Sequence, residues 1–243
     1  MALRTLPLLA ALLLAPPNLH ASQGQHWHEL RSLGFSLSAN LLAYHSEYED
    51  IADPRRVDAY QQALQSIRLH ATHLQDAELL SLSQTLEEQV GLLERQPATD
   101  IYRLPQLLNP ILHSQAELDS LAGQHLTRQA TDPRLTRLHQ LSLDCSRILL
   151  LYQIRTYRFA VQTYFMTREE DSFEHLDQRI GEHFTALAND PQLEPALQRA
   201  QRHYLFVRDK LVNHDQNWAP GGAATYLGLS ISTLDELARA IQQ

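Results

Sequence analysis

The chain has 243 residues, 44 % of them hydrophobic, and carries 28 acidic against 20 basic side chains for a formal net charge of −8. An acidic surface of this kind disfavours nonspecific binding to nucleic acid or to anionic membranes. The lone Cys145 excludes an internal disulfide, so the fold must rest on its core.

Residues 1–21 read as a cleavable export signal. Arg4 supplies the positive start, residues 6–15 the apolar run, Pro16-Pro17 a break, and Leu19-His20-Ala21 a cleavage site. An apolar run of about ten residues is too short to cross a bilayer, which needs about 20. The expectation is a soluble bacterial protein, periplasmic or secreted and not integral to a membrane.

Beyond the signal no strand-like alternation persists, and the class expected is all-α. Helical periodicity runs over 26–48, over 54–74 after a turn at 50–53, and over 77–95. A fourth helix is expected over 107–124, entered through Pro105 and Pro110. A fifth begins at Pro133 behind Asp132 as cap, and its apolar pattern continues as far as Phe165. The sixth spans 172–188, the seventh begins at Pro191 behind Asp190, and the eighth begins near Ala223 after the break Pro220-Gly221-Gly222.

These segments look like one unit written twice. Leu30, Leu33, Ser38, Leu41, Leu42 and Tyr44 recur as Leu138, Leu141, Ser146, Leu149, Leu150 and Tyr152, at a constant offset of 108. Gln65, Ile67, His70 and Leu74 recur as Gln178, Ile180, His183 and Leu187 at an offset of 113. Asp76 and Leu79 match Asp190 and Leu193 at 114, and Leu118, Asp119, Leu121 and Ala122 match Leu234, Asp235, Leu237 and Ala238 at 116. The offset only grows, as loop insertions would make it. The expectation is two tandem up-down four-helix bundles, residues 22–129 and 130–243. In architecture alone such paired modules resemble the periplasmic sensor domains of pilus-type chemoreceptors. The Arg/Gln-rich first-helix motif of that family is absent, so no membership and no residue roles follow.

Candidate binding residues come from polar groups kept in both units and from basic groups on an apolar helix. His70 and His183 each interrupt an apolar stripe, and Tyr44 and Tyr152 are matching hydroxyls that could satisfy a buried imidazole. Arg147, Arg155 and Arg158 lie among the apolar residues of the fifth helix. They suit an anionic ligand, or pairing with acidic residues of a neighbouring helix. Leu151, Ile154, Val161 and Phe165 form a second apolar face on that helix, to be covered by the first unit or by a protein partner.

Metal ligation has two candidates among 13 histidines. His70 and His73 share a helix face at i, i+3, although Ala186 stands where the second unit would repeat His73. In His26-Trp27-His28 the i, i+2 spacing points the two rings apart on a helix. Catalysis lacks support: there is no Gly-x-Ser-x-Gly elbow and no phosphate-cradling glycine loop, and Cys145 sits in an apolar stripe. The sequence therefore points to a non-catalytic, exported binding or sensing module without cofactor. A scaffold that docks an envelope or membrane protein and a histidine-based metal binder are the alternatives.

Overall fold

A computed structural model describes residues 18–49, 53–96, 103–127, 132–157, 161, 172–212 and 218–242. Every element among them is a helix: α1 (Asn18–Tyr44), α2 (Pro54–Leu74), α3 (Ala77–Glu94), α4 (Leu104–Thr127), α5 (Pro133–Arg155), α6 (Phe173–Leu187), α7 (Glu194–Val212) and α8 (Pro220–Ile241). The protein is all-α. None of these helices is long and apolar enough to cross a membrane. The export signal lies almost wholly outside the described residues.

Helix starts follow local chemistry. Asp53, Asp76, Asp132 and Ser172 accept hydrogen bonds from first-turn backbone N–H groups of α2, α3, α5 and α6. Pro54 and Pro133 open α2 and α5, where a missing N–H costs nothing. Outer helices bury a single stripe. In α2 it is Arg56, Tyr60, Ala63, Ile67 and Ala71; in α6 it is Phe173, Leu176, Ile180, Phe184 and Leu187.

Helices α1 and α5 differ because they are buried nearly all round. Helix α1 lies against α2, α4, α5 and α8, while α5 lies against α1, α6, α7 and α8. Buried apolar residues form two clusters. One gathers residues from α1 to α4, joined by Leu143, Leu150, Ile154 and Val161; the other gathers α5 to α8, joined by Ala39 and Ala43 of α1. The seam is thus made of ordinary core packing, in which each fully buried leucine contributes about 2 kcal/mol.

Several boundaries differ from the sequence expectation. Helix α1 stops at Tyr44, because Ser46 donates its N–H back to Ala43 and the Ser46 hydroxyl accepts from the Tyr48 N–H at 3.3 Å. Helix α4 starts at Leu104 and runs through Pro110, held by the buried neighbours Leu108, Ile111 and Leu112. Helix α5 ends at Arg155 rather than continuing to Phe165. The Thr156 hydroxyl donates to Gln153 O at 2.7 Å, and the Tyr157 hydroxyl donates to Leu42 O at 2.7 Å, drawing the chain onto the end of α1. Residues 190–193 form turns before α7 begins at Glu194.

The Pro220-Gly221-Gly222 segment is the first turn of α8 and not a break before it. Glu49 accepts from the Gly221 N–H at 2.5 Å, a carboxylate at a helix N-terminus. Arg56 donates to Asn40 at 3.2 Å, to Gly221 O at 2.8 Å and to the Thr225 hydroxyl. These bonds tie the end of α1 and the start of α2 to α8.

The second apolar face read on the fifth helix is covered, where described, by other parts of this chain. Leu151, Ile154 and Val161 are at most 7 % exposed and belong to the two cores of this chain, so they offer no surface to a partner. Phe165 lies outside the described residues.

Candidate functional site

A cavity of about 430 Å³ opens between α1, α2, α5 and α8. Its polar lining comes from stripes at four-residue spacing: Ser32, Ser36 and Asn40 on α1, and Gln62, Ser66 and His70 on α2. Residues four apart on a helix share a face, so each stripe presents hydroxyls, amides or an imidazole in one direction. Helix α8 adds Gly228, Ser232, Asp235 and Arg239, and Ser146 comes from α5. A Cβ placed on Gly228 meets nothing within 4 Å, which marks open space beside it.

Asp235 is a heavily bonded group in this lining. It accepts from the Ser32 hydroxyl at 2.7 Å and the Ser142 hydroxyl at 2.6 Å, and its Oδ1 lies 3.0 Å from His28 Nε2. Burial alone favours the neutral acid, but the bonds from His28, Ser142 and Ser32 outweigh it and hold the carboxyl below its usual range. Behind it the His28 and His139 rings stack with centroids 3.8 Å apart, and His139 Nε2 lies 3.1 Å from the Gln25 side-chain oxygen. Burial, with His28 adding to it, pushes His139 down to about 2.

Glu29 marks the end of the cavity near His70. Its Oε1 accepts from Gln25 Nε2 at 3.0 Å and faces Arg239 Nε at 3.4 Å. Its Oε2 faces His70 Nε2 at 3.5 Å and His26 Nδ1 at 4.0 Å. The Nδ1 atoms of His26 and His70 stand 3.0 Å apart, and the His73 ring centroid is 4.5 Å from that of His26. Burial lowers both His26 and His70, keeping their rings neutral, with Glu29 opposing in each case.

Of the expected ligand residues, His70 lines this cavity; Tyr44, Tyr152, His183, Arg147 and Arg155 do not. Tyr152 is buried, and its hydroxyl accepts the Ala219 N–H at 2.8 Å beside Trp218. Tyr44 is half-buried against His45 and Tyr60. Arg147 lies 3.5 Å from Asp119 and 3.7 Å from Asp144. Arg155 sits over the Phe173 ring at 3.8 Å, and Arg158 lies outside the described residues. Of the described arginines, Arg147 and Arg155 are therefore held by different neighbours. His183 lies 3.7 Å from Asp144, whose carboxylate takes a two-pronged grip from Arg179 at 3.1 and 2.8 Å. Cys145 is fully buried, and burial raises its thiol far above the range where it would ionise.

Glu29 and the α1 serines were missed as site residues, and His26 was weighed only together with His28. The signal that could have found the serines is the four-residue polar stripe inside a helix with no exposed face. Set against family models, curated proteins and solved structures, the chain matches none.

Proposed function

We propose that this chain is an exported, non-catalytic binding module of two tandem up-down four-helix bundles, residues 22–129 and 130–243, freed from the signal 1–21. One small polar ligand occupies the cavity between α1, α2, α5 and α8. Duplication is supported by matching burial at matching positions: Leu30 and Leu138, Ile67 and Ile180, and Leu118 and Leu234 are all fully buried. Helix order supports it too, since each of α1 and α5 packs on the helix that follows it and on the last helix of its own unit.

The observation that carries the binding reading is polar stripes of three helices converging on one open space where the units meet. Cavities between bundled helices are common ligand sites, and a few convergent polar groups give them specificity. The lining chemistry selects the ligand class. Hydroxyls and amides dominate, both carboxylates are acceptors, and Arg239 is drawn to Glu29. The ligand is a neutral or cationic molecule rich in hydroxyl or amine donors, and anions are disfavoured.

Thermal unfolding with a panel of polyols, sugars, amines and carboxylic acids tests this. A ligand at 100 times its Kd adds about 2.7 kcal/mol, several degrees for a chain of this size. A shift with a neutral or cationic compound that disappears in Gly228→Leu, which fills the space, supports the reading. No shift across the panel, or a shift that Gly228→Leu leaves intact, defeats it.

A further inference from the structure

We infer that His26, Glu29 and His70 form a binding site for one divalent transition-metal ion that clamps α1 to α2, with His73 beside it. The three residues each offer a ligand atom, and these atoms lie within 4.8 Å of one another. Around a tetrahedral zinc ion, with bonds of about 2.0–2.1 Å, donor atoms stand about 3.3 Å apart. The Nδ1 atom of His26 stands 3.0 Å from His70 Nδ1 and 4.0 Å from Glu29 Oε2, values that bracket this spacing. His70 presents its other nitrogen to Glu29 at 3.5 Å, so side-chain rotation brings one nitrogen of each ring and the carboxylate onto one ion.

Glu29 is already oriented for the task. Gln25 and Arg239 hold its Oε1, which leaves Oε2 turned towards both imidazoles. A carboxylate fixed by neighbours in this way is what metal sites use to aim their ligands. The donors are two imidazoles and one carboxylate, a set that suits zinc, copper or nickel and not magnesium or calcium. His73 follows His70 by one helical turn, and its ring lies against His26, where it can reach the fourth position. Glu29 and His70 also line the cavity, but the ion needs no second ligand to bind, so the site stands independently of the small-molecule reading.

The test is equilibrium dialysis of the purified protein against zinc at neutral pH, with retained metal counted. One equivalent is expected, with no retention of magnesium or calcium. His26→Ala and His70→Ala should each weaken binding by at least about tenfold. Glu29→Gln, a milder change, should do the same while circular dichroism confirms an intact helical fold. His183→Ala should bind zinc as the parent does, and so should Gly228→Leu, which separates this site from the cavity ligand. Binding that survives His26→Ala and His70→Ala would overturn the inference. So would retention of less than half an equivalent, or equal retention of calcium.

Discussion

In the proposed duplication His70 and His183 correspond, 113 residues apart, yet their surroundings differ. Around His70 stand Glu29, His26 and His73; in the second half the same offsets lead to Arg137, Arg134 and Ala186. A carboxylate faces each ring, Glu29 at His70 and Asp144 at His183, but the positive charges of Arg137 and Arg179 also act on His183, where the neighbours of His70 are His26 and His73. Deeper in, Ser36 and Ser66 line the cavity, whereas their counterparts Asp144 and Arg179 clasp each other. The difference teaches how one helical scaffold yields an open polar site and a closed one. Small side chains at two positions leave space, and an ion pair at the same two positions fills it. Where the two charges close on each other they contribute stability, and where serines stand instead the space stays open.

Breaking the seam between the halves should have the largest effect. Ile154 is 6 % exposed within the first core although it belongs to α5. Ile154→Asp buries an unpaired charge there and should cost about 4 kcal/mol or more, enough to unfold the chain, seen as loss of the cooperative urea transition. Next comes the closed site itself. Asp144→Ala removes the buried carboxylate that Arg179 grips and that Arg147 lies beside, and should cost about 3 kcal/mol in urea unfolding. Ser36→Ala, its counterpart on the open side, should cost less than about 1 kcal/mol. Similar costs for the two would erase the distinction drawn here.

Acid sharpens the picture at the seam, where His139 of α5 stacks on His28 of α1. Burial holds His139 at about 2, against 6.5 for the free side chain. Its folded pKa is depressed, so its contribution is complete above pH 6.5, declines as pH falls below that, and levels off near pH 2. The slope approaches about 1.4 kcal/mol per pH unit for one proton. His139→Gln should flatten that part of the stability–pH curve, measured by urea midpoints from neutral to acid pH. A small effect concerns the tie at the start of α8. A Cβ on Gly221 would meet Glu49 Oε1 at 2.8 Å, so Gly221→Ala should displace the carboxylate and cost about 1 kcal/mol. Its thermal midpoint should fall by a few degrees.

The starts of α2 and α5 could be read from Asp53-Pro54 and Asp132-Pro133, because caps and first-turn prolines act locally. The stripes of α2 and α6 were equally legible, since 3.6-residue periodicity is a property of the chain alone. The end of α5 was not. It depends on Tyr157 reaching the carbonyl of Leu42, a residue 115 positions away. The same holds for the metal cluster. His70 and His73 were visible as a pair, but His26 is 44 residues from His70. It drew attention only as a neighbour of His28, from which a helix turns it away. Arg147 and Arg155 were seen as a group from their spacing alone, whereas Asp119 of α4 and Asp144 take up the one and the Phe173 ring lies against the other.

The most direct measurement is anomalous diffraction at the zinc edge from crystals of the protein grown with zinc. One strong peak between α1 and α2, within bonding distance of His26, Glu29 and His70, is expected, with none beside His183 and Asp144. A peak at His183, or occupied zinc only at exposed surface histidines, would contradict the account of one open site and one closed site on a repeated scaffold.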